Sequence, residues 1–357
     1  MPKLQSVYPR GHFFQQMAGA HQVDAAAMVS TRGFFGLYPS ATFLYGCIRT
    51  DDGEMFEICR RVSHHGEGVA TGIATDDSAL SKPPAVLLVM STEVDGEQLR
   101  FDLNSMQLQA TTDDCEISLE GKDAVWKSAA GASGRPFRIT FNESSCSWHE
   151  EGLFSLSGPI LKPGLHWYLP GRDYGTYYVS QIFELKGEIK GRPCKGMIAF
   201  DQTYMGQGGN LYKNKDLVME HQGHNVWYTW STRYEDGSYE CGHFMLGNGP
   251  LGFAVFTDGE QVVATRDITG FVTPREGSPF AERIDFVIDG EKWEFTPDPR
   301  GAMPDMMRKH PPTPQQEGFM RRVGETRKPI VWFAWGETEE EHGLSPQDRL
   351  PIEPIFA

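Results

Sequence analysis

The sequence predicts an all-β protein with little helix, and three observations carry that prediction. From residue 31 onward, short apolar and aromatic runs alternate with turn signals: RGFFGLY, ATFLYGCIR, EMFEICRRV, AVLLVMST, QLRFDL, CEISL, RPFRITF, LFSLSG. Many short strands at near-regular spacing read as a sandwich or barrel. Five Asp-Gly pairs (Asp52-Gly53, Asp95-Gly96, Asp236-Gly237, Asp258-Gly259, Asp289-Gly290) sit between such runs. Asp-Gly supplies the positive φ that type I′ turns require, so each pair reads as the tip of an antiparallel hairpin. Finally, FLYGCIRTDDGEMFEIC at 43–59 aligns at constant offset with WYTWSTRYEDGSYECGH at 227–243. Phe43 then matches Trp227, Arg49 matches Arg233, and the two Asp-Gly pairs coincide. Two related β halves would leave such an echo, and so would two unrelated hairpins.

Taken in order, residues 1–30 read as an irregular segment in which Asp24-Ala-Ala-Ala-Met28 makes one helical turn. Residues 31–165 form a first β unit. GPILKPGLHWYLPGRDYG at 158–175, rich in Gly and Pro, marks the join to a second unit over 166–357. Few strand–helix–strand spacings are present, which disfavours a parallel sheet. After Pro297 the chain loosens into DPRGAMPDMMRKHPPTPQQEG, with a short helix expected near 303–309. FMRRVGE and PIVWFAW then return as strands, and GETEEEHG starts an acidic, solvated tail.

Composition excludes several classes. The 357 residues carry 33 Lys and Arg against 48 Asp and Glu, a net charge of −15, which argues against a phosphate-binding surface and hence against nucleic acid. The longest apolar run, residues 85–90, is far too short to span a membrane. MPKLQSVYPRGHFFQQ has no apolar signal-peptide core, so cytoplasmic residence is expected. Six cysteines without a C-x-x-C pair read as buried free thiols rather than zinc ligands. Glu220-His221-x-x-His224 is not H-E-x-x-H and falls in a turn-to-strand region, so no metal is expected. G-x-S-x-G, a phosphate loop and a dinucleotide fingerprint are all absent, and no cofactor is expected. His64-His65 beside Gly66 reads as an exposed loop. A monomer or homodimer is the expected state.

Chemistry concentrates in residues 187–246. In the strand GMIAFDQTYMG, alternation puts Met197, Ala199, Asp201 and Thr203 on one face and Ile198, Phe200, Gln202 and Tyr204 on the other. An Asp among apolar neighbours is disfavoured unless it is paired or useful; capping a turn or pairing with an Arg is the plain alternative. In HNVWYTWSTRY, His224, Val226, Tyr228 and Trp230 share a face, opposite Asn225, Trp227, Thr229 and Ser231. The following strand places His243 beside Tyr239 and Cys241. These groups predict one cavity lined by Asp201, Tyr204, Glu220, His224, Trp227, Tyr228, Trp230 and His243, with Gln202 as a further binding residue. Asp201 and Tyr204 alternate, so a bulge at Thr203 is needed to bring both inside. Asp201 and the Tyr228/Trp230 face are the favoured lining.

The order Tyr177-Tyr178-Val179-Ser180, Gly187-Glu188-Ile189, then GMIAFDQTYMG from Gly196, then the aromatic strand and Asp-Gly hairpin at 227–237 resembles the AttH-like family. That family includes hydroxyneurosporene synthase (a carotenoid hydratase), with kievitone hydratase-like proteins and fungal Diels–Alderases as relatives. The resemblance covers roughly residues 175–270 and implies two lipocalin-like β halves around a hydrophobic pocket. Gln202 stands where the family carries His and Tyr204 where it carries Trp. A carboxamide does not shuttle protons, so Asp201 is the one acid of the motif retained.

Together these readings predict a cofactor-free enzyme acting on a hydrophobic small molecule by acid–base hydration or dehydration, isomerisation or cyclisation. Asp201 or Glu220 would protonate a double bond and Tyr204 and His224 would position or accept a proton. The aromatic rings, with His243 and Gln202, would hold the substrate. The alternatives are a non-catalytic carrier of an apolar ligand and a shape-driven pericyclase.

Overall fold

The computed structural model describes residues 17–22, 24–30, 33–64, 85–107, 115–169, 176–205, 226–246, 252–308 and 314–338. It is almost entirely β, one sheet curling into a half barrel and the other nearly closing, which gives two lipocalin-like halves. The first half holds β1 (Met17–His21), β2 (Tyr38–Thr50), β3 (Met55–Ser63), β4 (Ala85–Ser91), β5 (Arg100–Phe101), β6 (Cys115–Glu120), β7 (Asp123–Ser128), β8 (Phe137–Phe141), β9 (Ser145–Glu150), β10 (Phe154–Leu169), β11 (Thr176–Ile189) and β12 (Arg192–Met205). The second holds β13 (Val226–Tyr234), β14 (Tyr239–Leu246), β15 (Gly252–Thr257), β16 (Val262–Thr265), β17 (Ile268–Pro274), β18 (Ala281–Ile288), β19 (Glu291–Ala302), β20 (Gln315–Arg322) and β21 (Pro329–Thr338).

The strand orders are β5-β4-β3-β2-β12-β11-β10-β9-β8-β7-β6 and β16-β15-β14-β13-β21-β20-β19-β18-β17. In each half the long opening strand pairs with the closing strand, and hairpins spread outward on both sides. The echo between 43–59 and 227–243 is therefore a topological repeat: β2–β3 and β13–β14 occupy the same place in their sheets. The sheets change over between Met205 and Val226. Residues 165 and 166, where the two units were expected to join, both lie inside β10.

All five Asp-Gly pairs sit at hairpin tips, with φ between 78° and 92° at their glycines. Only Asp289 is itself left-handed, with φ 52°, so only Asp289-Gly290 has the positive φ at both positions that a type I′ turn needs. At the other tips the loop is longer and Gly alone takes the left-handed step. At three of them the Asp side chain caps the backbone instead, as where Asp258 accepts from Glu260 N at 2.9 Å and Gln261 N at 2.8 Å. The Ala-rich turn forms as α1 (Ala25–Met28), capped by Asp24 accepting from Ala26 N and Ala27 N at 3.0 and 3.1 Å. The helix near 303–309 is a 3-10 turn, Pro304–Arg308. The first 30 residues are less irregular than expected, since β1 adds antiparallel to β10. That strand is made by backbone pairing and carries no alternation to announce it.

Period-two alternation sorts the core into four clusters. One lies wholly in the first half (Phe56, Trp126, Phe183, Phe200) and one wholly in the second (Tyr228, Trp230, Phe244, Trp293, Phe295). The other two draw on both halves: Met197, Ala199 and Ile182 meet Phe333 and Trp335, while Trp167 and Tyr178 meet Met245, Phe253 and Val255. Each half thus has apolar faces on both sides of its central strands, and the outer faces are buried only against each other. The interface is also polar: Arg49 bonds Glu317 at 2.7 Å, Arg233 bonds Glu184 at 2.7 Å, and Arg100 bonds Asp305 at 2.9 Å.

Candidate functional site

The centre of this interface is a buried carboxyl. Asp201 on β12 lies opposite Ser180 on β11 and opposite Phe43 on β2. The i, i+2 step of β11 puts Tyr178 on the same face as Ser180. Ser180 Oγ donates to Asp201 Oδ1 at 2.5 Å, and the Tyr178 hydroxyl donates to Oδ2. The Tyr45 hydroxyl faces the same carboxyl and favours its charged form. From the other half, Thr229 on β13 bonds the Tyr45 hydroxyl at 2.6 Å and His243 Nδ1 at 2.8 Å. A polar chain, Tyr45–Thr229–His243, therefore crosses from one half to the other beside Asp201. It ends at His243 Nε2, which is buried and has no hydrogen-bond partner among the described residues.

Electrostatics follow from burial. Loss of water pushes Asp201 up to about 6, against the pull of the Ser180, Tyr178 and Tyr45 hydroxyls, which favour the charged form. Burial brings His243 down to about 3, so its imidazole is neutral at physiological pH. The pair is thus a carboxyl that takes up a proton near pH 6, well above the ordinary carboxylate range, and an imidazole that is unprotonated there. Around it stand aromatic rings: Tyr178 stacks on Trp167 at 4.7 Å and 12°, Trp227 lies 5.6 Å from Tyr178 and 5.8 Å from His243, and Phe253 lies 5.4 Å from Trp167.

The structure brings together Asp201, Trp227 and His243 among the residues singled out in the sequence. It does not bring Tyr204, Gln202, Tyr228 or Trp230 to them. A register shift does fall between Thr203 and Tyr204. Tyr204 nevertheless keeps to the interior of the first half, packed on Phe34 at 5.1 Å and Tyr177 at 5.6 Å. Gln202 points the same way, accepting from Thr42 Oγ1 at 2.7 Å and lying 3.1 Å from His64 Nε2. His64 is therefore a half-buried partner of Gln202 rather than part of an exposed loop. Tyr228 and Trp230, the favoured lining, fill the second half's core, with Tyr228 on Phe244 at 5.4 Å and 11° and Trp230 against Trp293 at 5.8 Å. The alternate face, Trp227 and Thr229, is the one that meets Asp201. Glu220 and His224 lie outside the described residues.

Tyr45, Trp167, Tyr178, Ser180 and Thr229 were not singled out for the site from the sequence. Tyr178 and Ser180 had a signal, two hydroxyls at i, i+2 on one face of β11. Tyr45 and Thr229 had one too, as matching positions of the internal repeat. A separate cavity of about 640 Å³ opens by α1, lined by His21, Asp24, Phe34, Leu119 and Lys122, among others, and none of the Asp201 group borders it.

No protein-family model matches the chain, and no curated protein does. Solved structures similar to it include a protein of Nitrosomonas europaea assigned as an AttH (NE1406), at 13% identity, TM-score 0.48, covering 84% of this chain and 92% of that one. CghA with Sch210972 is similar at 10% identity and TM-score 0.47, covering 92% and 100%. Kievitone hydratase from Nectria haematococca is similar at 9% identity and TM-score 0.38, covering 85% and 90%. These are the groups that the sequence resemblance names, and the likeness is one of strand arrangement.

Proposed function

We propose that the protein is a cofactor-free enzyme that acts on a hydrophobic small molecule by acid–base chemistry at the interface between its halves. The observation that carries this reading is Asp201, a fully buried carboxyl at about 6 set against an aromatic wall and beside the hydrogen-bonded chain Tyr45–Thr229–His243. Tyr178 joins acid and wall, since its ring stacks on Trp167 and its hydroxyl bonds Asp201. When Asp201 is protonated its hydrogen bond with Tyr178 reverses, the carboxyl donating to the Tyr178 oxygen, and the Tyr178 proton then passes to a substrate double bond as the carboxyl proton replaces it. The Trp167 and Trp227 faces stabilise the positive charge that develops. Loss of a neighbouring proton to His243 Nε2 then gives isomerisation, and capture of the cation by water gives hydration. The substrate class is an isoprenoid, polyketide or aromatic compound with a polarisable double bond.

The test is a screen of such compounds in D₂O with product mass measured. Acid–base turnover places a solvent deuteron on carbon. A product formed without deuterium would point to a pericyclic reaction, and a ligand retained unchanged would make the protein a carrier.

A further inference from the structure

Two and four residues along β2 from Tyr45, Cys47 and Arg49 face the same interface. Glu57 on β3 lies opposite Cys47 in register, and Glu317 on β20 reaches in from the second half. Cys47 Sγ and one carboxylate oxygen from each of Glu57 and Glu317 lie within 4.8 Å of one another. All three residues are fully buried.

Their hydrogen bonding is lopsided. Glu317 is fully engaged, its Oε1 accepting from Arg49 Nη2 at 2.7 Å and its Oε2 from Ala334 N at 3.1 Å. Arg49 is engaged too, with Nη1 donating to the Trp332 carbonyl at 2.6 Å. Among the described residues neither oxygen of Glu57 has a hydrogen-bond partner outside this cluster, where only the Cys47 thiol and the Glu317 carboxyl face it. Two buried carboxylates thus share one guanidinium, and that guanidinium is anchored on Glu317. A carboxylate at this depth keeps its charge only if something positive meets it. The group beside it is a thiol.

We infer that Cys47, Glu57 and Glu317 form a binding site for a divalent transition-metal ion of the zinc type, bridging the two halves. The donor set selects that class: a thiolate is a poor ligand for magnesium or calcium, whereas zinc takes sulfur and carboxylate oxygen together. Binding releases the Cys47 proton to solvent, and the Glu57 oxygens supply one or two ligand atoms. Arg49, bonded to Glu317, is the outer partner that orients a ligating carboxylate. The ligands come from β2, β3 and β20, so no ligand spacing in the sequence could announce them. The role is structural, and it stands or falls independently of the Asp201 chemistry.

The experiment uses the full chain, expressed in zinc-supplemented medium and purified without chelator, with metal content measured per chain. About one zinc per chain is expected, with loss of that zinc in Glu57→Gln and in Cys47→Ser. Refolding the wild-type chain with cobalt is expected to give a thiolate-to-cobalt charge-transfer band, which needs no variant to fold. Wild-type protein with only traces of zinc and no such band would overturn the site and leave the two carboxyls holding a shared proton. Zinc retained equally in both variants would overturn it as well.

Discussion

The two halves share a strand order and differ most tellingly at one register position. Opposite Phe43 in the first half stands Asp201, and opposite the matching Trp227 in the second stands Glu337. Asp201 is fully buried and held by hydroxyls, its carboxyl raised by desolvation. Glu337 is half-buried and accepts from Gln315 Nε2 at 2.6 Å, while Gln315 Oε1 in turn accepts from Trp335 Nε1 at 2.9 Å. The interiors differ as well. The second half is filled by aromatic rings, whereas the first buries an ion pair, Arg60 Nε to Glu150 Oε1 at 2.9 Å, with Trp148 Nε1 on the same oxygen. Repeating a strand order repeats the register but not the chemistry. What the opposite half lays over a position decides how far an acid there is taken out of water.

The largest effect that separates the halves is expected at the buried ion pair. Arg60→Ala leaves Glu150 charged and unpaired and should lower the unfolding free energy by about 3–5 kcal/mol in denaturant titration. Arg321→Ala, which breaks the more exposed pair with Glu294 in the second half, should cost less than about 1 kcal/mol. Equal losses would mean that the first half's interior is wetter than its burial implies.

The pH dependence of stability tests the Asp201 side of the comparison. Its folded pKa is raised, so the folded state binds the proton more tightly than the unfolded chain. That contribution is complete below about pH 4 and is lost as pH rises through about 6. Asp201→Asn carries no such term. The variant should therefore gain about 3 kcal/mol on wild type between pH 4 and pH 7, read as the difference of two stability curves. A difference independent of pH would mean that Asp201 is not raised.

Activity separates the two acids next. Asp201→Asn keeps shape and removes the ionisable group, and should lower turnover by roughly a hundredfold or more under acid–base chemistry. Glu337→Gln, at the matching position, should leave turnover unchanged. If both variants lose activity alike, the interface does not single out Asp201. The smallest effect is expected for Tyr45→Phe, which deletes the hydroxyl that bonds Thr229 and faces Asp201. It should cost about 1 kcal/mol of stability and move the Asp201 carboxyl further up, as a carboxyl-selective NMR titration would report.

Legibility in the sequence was uneven. Alternation separated Asp201 from Tyr204 and Trp227 from Tyr228 correctly, but it could not say which face of each strand was the closed core. Tyr228 and Trp230 looked like lining because large aromatic residues fill a ligand pocket and a dry core equally well. Trp227 and Thr229, on the less uniform face, were the pair that met the first half. The internal match of 43–59 with 227–243 held as topology, and its aligned positions Tyr45 and Thr229 turned out to touch across the interface.

By itself the sequence determined most of the strands, the hairpin tips and the repeat, because alternation, Asp-Gly chemistry and local spacing are properties of neighbours along the chain. It also determined that Asp201 would face away from Tyr204, since a strand has only two sides. Only the tertiary structure decided that the outer faces of the two halves bury each other, that Asp201 meets Tyr45, Tyr178 and Ser180 there, and that His243 arrives from the other half. Those contacts join residues up to 184 positions apart, and no period along the chain encodes which surface will cover which. Burial raises an acid or lowers a histidine, and burial is a property of the packed whole.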